Sequence, residues 1–149
     1  NDFLTVGGMG HANQIALGIA INTPNKNVYC FDGDGALLMH MGTMALNGCL
    51  KLKNYKHIVF NNHVHESVGG QYTSAPETDF ASLSKIFGYE YFKRVSNQDD
   101  IKKCVKHMNV NDCSSFLEIL VNTESRKNLS RPKTTPKENK NILMKYLSK

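Results

Sequence analysis

Short apolar runs alternate with longer stripes of helical period along this chain. Val28-Tyr29-Cys30-Phe31, Ile58-Val59-Phe60, Tyr89 to Val95 and Phe116 to Val121 have the length and residue types of buried strands. Between them the apolar residues recur every three to four positions. His11 to Ile21 places Ile15, Ala16, Ile19 and Ala20 on one stripe. Ala36 to Leu50 reads as a single helix with Leu37, Met41, Met44, Ala45 and Cys49 inward. Thr78 is the expected cap of a helix carrying Phe80, Leu83, Ile86 and Phe87, which Gly88 stops. Gln98 to Met108 carries Ile101, Cys104, Val105 and Met108. A last helix starts at Thr135-Pro136-Lys137-Glu138, a capping box with proline in the first turn, and shows Ile142, Leu143, Tyr146 and Leu147 on one side.

The connections carry their own signals. Thr23 to Asn27 is a turn, whereas His63 to Pro76, with Gly69-Gly70 inside it, is too long for a mere connector and reads as functional or disordered. Residues 122–134 turn polar. Regular alternation of strands and helices predicts an α/β fold, a doubly wound, mostly parallel sheet with helices on both faces.

Composition changes this picture little. At 149 residues, 40% hydrophobic and 21% charged, the chain fits one globular domain over 1–149, with 122–149 a polar tail ending in a helix. No apolar run approaches the roughly 18 residues of a membrane span. The start at Asn1-Asp2-Phe3, with neither initiator Met nor signal pattern, reads as a cut end, from a fragment or a processed chain. The net charge of +5 comes from scattered lysines that thicken toward the tail. Nucleic-acid binding calls for a basic stripe with interleaved aromatics, which this pattern lacks, so neither nucleic acid nor membrane is expected as a partner. Cys30, Cys49, Cys104 and Cys113 form no C-x-x-C pair, and all four are expected as buried thiols in a reducing cytoplasm.

The chemistry concentrates at two strand ends. Asp32-Gly33-Asp34-Gly35 follows the first strand and Asn61-Asn62 the second, with Asp34 and Asn62 28 positions apart. One strand-helix-strand excursion brings both to the same sheet edge. A carboxylate and a carboxamide there offer hard oxygen ligands suited to Mg2+, and Gly33 and Gly35 let the backbone approach a diphosphate ahead of the helix at Ala36. Two ordinary turns would use the same residue types, since Asp-Gly and Asn-Asn are common turn formers.

These residues resemble the thiamine-diphosphate-dependent 2-keto acid decarboxylase family. The likeness lies in Gly33-Asp34-Gly35 with Asn61-Asn62, in Asp2 to Ala12, in Val28 to Met41, in His65-Glu66-Ser67-Val68-Gly69-Gly70, and in Arg131 to Pro136. Within the family the phosphonopyruvate decarboxylases are most similar and the sulfopyruvate decarboxylases nearly so. The resemblance spans essentially the whole chain but only the family's diphosphate-binding half.

The resemblance implies that Asp34 and Asn62 ligate Mg2+ through side chains and Val64 through its carbonyl. It places the backbone of Gly33, Gly35 and Ala36 against the diphosphate, the Gly7 carbonyl under the 4'-amino group, and Met9 between the cofactor's two rings. Gly8 stands where the family usually has a small residue such as Ser, a departure that loosens a phosphate contact. The implied reaction is decarboxylation of 3-phosphonopyruvate to phosphonoacetaldehyde and CO2, with the thiazolium as electron acceptor. It further implies a pyrimidine-binding domain or subunit that supplies an activating Glu, and a homo-oligomer of at least two copies, so that this chain alone does not turn over.

Two histidines are the candidate catalytic residues, His65 and His11, since a neutral imidazole relays a proton or binds a substrate oxoanion near pH 7. The structural alternatives are a helix cap for a histidine after a glycine turn and plain solvent exposure for His63. His63 is more weakly placed, and His40, His57 and His107 are expected to be structural. Glu66 and Gln71 are expected to order the loop, and the Arg126 to Lys133 tail to lie near an anionic phosphonate or in solvent. Two rival readings remain: a binding module of this fold that has lost catalysis, and a nucleotide-binding Rossmann domain. The second lacks G-x-G-x-x-G directly after the first strand and an acid at the end of the second.

Overall fold

The computed structural model describes residues 2–148, which leaves Asn1 and Lys149, the outermost positions of the expected domain, outside it. The four expected strands form as β1 (Val28–Gly33), β2 (Tyr55–Asn61), β3 (Tyr91–Val95) and β4 (Ser115–Leu120). They make one sheet in the order β1-β2-β4-β3 with every pairing parallel. Parallel strands must be joined by crossovers, and the helical stripes supply them. These are α1 (Ala12–Asn22), α2 (Asp34–Met39), α3 (Thr43–Leu50), α4 (Phe80–Phe87), α5 (Gln98–Val110) and α6 (Pro136–Leu147).

Alternation along the strands sends side chains to two cores. Cys30, Tyr55, Val59 and Phe116 face α1, α3 and α4 with Leu17, Met44 and Phe80. Ile58, Leu117 and Ile119 face α5 through Cys104 and Met108. Helices therefore cover both faces, as the period of the apolar residues requires. Among the described residues no helix is long and apolar enough to cross a membrane.

Several expectations need correcting. The helix expected over Ala36–Leu50 begins two residues earlier and breaks at His40–Gly42 into α2 and α3. At the break Gly10 approaches so closely that a Cβ there would lie 2.6 Å from His40 Cδ2 and 3.0 Å from the Ala36 carbonyl. Register shifts accordingly: Leu37 and Met44 are buried, but Ala45 and Cys49 are exposed and Asn47 and Gly48 point inward instead. Of the four cysteines only Cys30 and Cys104 are buried; Cys113 is half-buried, and all four are free thiols. Asp79, not Thr78, caps α4, because its carboxylate accepts from the Ala81 and Ser82 N–H groups while Thr78 Oγ1 donates to the Ser74 carbonyl. Ile86 faces solvent. The Thr135 capping box of α6 is present as expected, with Thr135 and Glu138 exchanging hydrogen bonds.

Candidate functional site

β1 and β2 are paired so that Gly33 lies opposite Phe60. The Asp-Gly turn and the Asn pair therefore leave the sheet side by side at its C-terminal edge, where open α/β sheets bind their ligands. Asp34 is the first residue of α2 and is 2% exposed, not on a solvent-facing strand end as its turn context suggests. Its Oδ2 accepts a 2.6 Å hydrogen bond from Thr73 Oγ1. The Gly35 backbone is equally enclosed. A Cβ there would lie 2.4 Å from His65 Nδ1 and 3.1 Å from Thr73 Cγ2, so only glycine admits the His65 ring.

The segment after β2 is ordered by its own polar groups. Asn61 Oδ1 accepts from His63 N at 3.1 Å, and Asn62 Oδ1 from Val64 N at 3.2 Å. His63 takes up a left-handed φ of 64°, which Asx-type turns tolerate. Val64 bridges antiparallel to Tyr72, and the Thr73 N–H donates to the His63 carbonyl, which closes the segment into a strap. Glu66 Oε2 accepts from Asn62 Nδ2 at 2.9 Å and its Oε1 from Ser125, so Glu66 orders the strap as expected. Gln71 contributes through its carbonyl, which accepts from His65 N, and its side chain packs on Gly69.

The N-terminal glycines lie on another side of the same turn. A cavity of about 1140 Å3 is lined by Gly7, Gly8 and Met9 together with Gly33, Ala36 and Arg131. Asp34, Gly35, Asn62, Val64 and both candidate histidines stand outside that lining. The structure thus gathers the expected residues in two groups that meet at Gly33–Ala36. Asp34, Gly35 and His65 form one, joined by Thr73, which was not expected, to the strap that carries Asn62 and Val64; Gly7, Gly8, Met9, Gly33 and Ala36 surround the other. His11 belongs to neither: it stacks on His40 with ring centroids 4.2 Å apart and sits 3.3 Å from Gln14 Oε1.

Beneath the turn lies a polar cluster with no signal in the strand pattern. Cys30 and Asp32 of β1 and His57 of β2 bring their ligand-type atoms within 4.8 Å of one another. His57 Nε2 is 3.6 Å from Asp32 Oδ2, and both groups are buried. Tyr55, Tyr89 and Asn47 close around them through the Asn47 amide. Burial, and secondarily the Asp32 charge, pushes the Cys30 thiol up to about 12. His57, expected to be structural, lies buried in this cluster with Nδ1 3.3 Å from the Tyr89 hydroxyl.

Asp34 and Asn62 offer oxygen, Val64 adds a carbonyl on the same strap, and at Gly33, unlike Gly35, nothing lies within 4 Å of the position a Cβ would take. That donor set fits Mg2+ with a diphosphate better than a softer metal. Sequence reading missed Thr73, because nothing in its neighbourhood marks a hydroxyl that will reach back 39 residues to Asp34. It missed Glu118 as well, which reads as a lone acid in an apolar strand yet takes up Asn61 Nδ2 at 2.8 Å.

The chain is 34% identical over 136 residues to phosphonopyruvate decarboxylase of Streptomyces viridochromogenes, which covers 91% of this chain but 34% of that protein. It is 30% identical over 117 residues to the sulfopyruvate decarboxylase subunit beta of Methanocaldococcus jannaschii, covering 78% of this chain and 62% of the subunit. The chain thus spans about a third of the length of the phosphonopyruvate decarboxylase it matches. In fold it superposes on the thiamine diphosphate-dependent 4-hydroxybenzoylformate decarboxylase of Rhodococcus jostii RHA1 with a TM-score of 0.68 at 18% identity, over 80% of this chain and 24% of that one. The family model described as thiamine pyrophosphate enzyme, C-terminal TPP binding domain, matches residues 2–119, and the chain belongs to that family.

Proposed function

We propose that this chain supplies the diphosphate- and Mg2+-binding half of a thiamine-diphosphate-dependent decarboxylase acting on 3-phosphonopyruvate. The observation that carries the reading is the buried Asp34 carboxylate tied through Thr73 to the strap that carries Asn62 and Val64, in a chain whose relatives include phosphonopyruvate decarboxylases. Asp34, Asn62 and the Val64 carbonyl would hold Mg2+. The Gly33, Gly35 and Ala36 backbone would face the diphosphate, with Gly7, Gly8 and Met9 along the rest of the cofactor.

When bound, the cofactor supplies the electron sink for loss of CO2. The chain's own residues orient it, exclude water and handle protons. His65, pressed on the Gly35 backbone, is positioned to hold or pass a proton beside the diphosphate turn. His11, stacked on His40, is the second proton-handling candidate. Arg131 lines the cavity beside Gly7 to Met9 and is suited to the substrate's second anionic group.

The reading includes a cytoplasmic enzyme in which a pyrimidine-binding domain or subunit completes the site, as a homo-oligomer of at least two copies, without nucleic-acid or membrane partners. Residues 1–149 would form the diphosphate-binding domain, with 122–149 as its tail. A second reading, a sulfopyruvate decarboxylase subunit, is favoured by the likeness to a separate beta subunit of which the chain spans 62%.

Calorimetric titration of thiamine diphosphate, with and without Mg2+, into the full-length protein or the chain with its partner tests the cofactor. Turnover of phosphonopyruvate against sulfopyruvate then separates the two substrates. Absence of Mg2+-dependent binding in the assembled protein would leave a non-catalytic module of this fold.

A further inference from the structure

Glu118 stands in the middle of β4 with no exposed surface, an acid where the apolar run calls for a hydrophobe. A carboxylate is kept at such depth only when both oxygens are satisfied. Oε1 accepts from Asn61 Nδ2 at 2.8 Å, and Oε2 from Arg94 Nε at 2.6 Å. The register explains the meeting, since Glu118 is the Cα partner of Arg94 on β3 and of Val59 on β2, two residues before Asn61.

What this does to Asn61 follows from hydrogen-bond chemistry. An ionised carboxylate can only accept, so the Asn61 amide must turn its NH2 toward Glu118. Its oxygen is then directed at the backbone and accepts from His63 N at 3.1 Å. That bond holds His63 in its left-handed conformation, and the Asn61 carbonyl is fixed in turn by the Val121 N–H at 2.9 Å. The next two residues are Asn62 and Val64's neighbour in the turn, so the orientation set at Asn61 propagates to the two groups assigned to the metal.

We propose that Glu118, braced by Arg94, is a positioning residue for the metal loop: it fixes the Asn61 amide and thereby the left-handed turn that presents Asn62 and the Val64 carbonyl. This rests on the reading of Asn62 and Val64 as Mg2+ ligands. Glu118 touches neither metal nor substrate. A glutamine in its place has one acceptor oxygen for two donors, Asn61 Nδ2 and Arg94 Nε; with that oxygen on Arg94, its NH2 faces Asn61, whose amide then flips and gives up the bond to His63 N.

The test uses the full-length protein as Glu118→Gln, with Asn62→Ala as the control for the ligand reading. Two quantities are read: amide hydrogen exchange at residues 61–66 in the apo protein, and the Mg2+ concentration that half-saturates thiamine diphosphate binding. The expected result is exchange at His63 faster by about tenfold or more, and a half-saturating Mg2+ concentration raised about tenfold. Thiamine diphosphate affinity at saturating Mg2+ should stay near that of the parent. A Glu118→Gln protein that merely melts earlier, with both readouts unchanged while Asn62→Ala shifts the Mg2+ requirement, overturns the inference. If Asn62→Ala also leaves that requirement unchanged, the ligand reading fails and takes this inference with it. Should Glu118→Gln not fold, Arg94→Gln decides by the same two readouts, because the Arg94 side chain is 45% exposed and tolerates replacement. Its expected shift has the same sign and a smaller size.

Discussion

Thr73 Oγ1 donates to Asp34 Oδ2 at 2.6 Å and so ties the turn after β1 to the strap after β2. The Thr73 N–H meanwhile donates to the carbonyl of His63, the residue between Asn62 and Val64. One threonine therefore spans both halves of the oxygen-donor set, with its side chain on the acid and its backbone on the strap.

Thr73→Val keeps the shape and removes the hydroxyl, leaving Asp34 without this donor. The net worth of such a bond is about 1 kcal/mol, more when the acceptor is charged. Mg2+-dependent cofactor affinity should fall by roughly fivefold to tenfold, and Thr73→Ser should restore most of it. Equal affinities for the valine and serine variants in calorimetry would show that the hydroxyl does not orient Asp34.

Asp34→Asn removes the formal charge with little change of volume at a position 2% exposed. The expected outcome is loss of Mg2+-dependent thiamine diphosphate binding with the circular dichroism spectrum intact. A carboxamide still pairs with Thr73, so the fold has no reason to fail. Retained affinity in this variant would remove Asp34 from the metal site.

How far the chain could be read in advance follows from which signals are local. The four strands and the parallel α/β arrangement were legible because strand-length apolar runs and helical stripes are written within single elements. That the turns bearing Asp34 and Asn62 leave the sheet side by side was legible too, since a parallel pairing of successive strands places their ends together. The break at His40–Gly42 was not, since it falls where the Gly10 backbone packs against His40 from 30 residues away, a contact no local pattern announces. Nor was the burial of Asp34, Asp32 and His57, which depends on cross-strand register and not on any run of sequence. Thr73 and Glu118 share that invisibility: each reaches its partner across a fold that local pattern does not describe.

Gly35→Ala tests the placement of His65. The new methyl would fall 2.4 Å from His65 Nδ1 and 2.5 Å from Cε1, and the imidazole ring can move where backbone cannot. The protein should fold, but with His65 displaced and the diphosphate turn crowded. Displacement of about 1 Å at a reacting site costs on the order of a hundredfold in rate. A loss of kcat beyond tenfold, alongside cofactor affinity weakened less, is the expected pattern in steady-state assays of the assembled enzyme. Unchanged kcat would take His65 out of the chemistry.

Gly48→Ala should act on stability alone. A Cβ at Gly48 would lie 1.7 Å from the Phe87 carbonyl oxygen, where α3 crosses the end of α4, and backbone cannot yield as a side chain does. The expected cost is about 1–3 kcal/mol, toward the upper end of that range, read as a lowered denaturation midpoint. Glycine is required here for closeness of approach and not for its dihedral freedom.

Arg131→Ala addresses the substrate. If the guanidinium meets the second anionic group of the keto acid, KM for phosphonopyruvate should rise by about tenfold, with kcat little changed. An unsubstituted 2-keto acid, which lacks that group, should show no such rise. Equal effects on both substrates would return Arg131 to the solvated tail.

The buried cluster under the turn sets the behaviour of the protein in alkali. Burial raises the Cys30 thiol from 9.0 to about 12, raises Tyr55 well above its ordinary value, and raises Tyr89 as well. These groups release protons in the unfolded chain at a pH where the folded chain still holds them. The unfolded state then binds fewer protons, so stability falls as pH rises. Below about pH 9 the contribution is complete. Above it, each group that titrates only in the unfolded chain removes up to about 1.4 kcal/mol per pH unit. Denaturant midpoints measured at pH 8, 9, 10 and 11 should decline progressively from pH 9 upward, and Cys30→Ala should soften the first part of that decline. A flat profile to pH 11 would mean that water reaches the cluster and that Cys30, Tyr55 and Tyr89 ionise alike in both states.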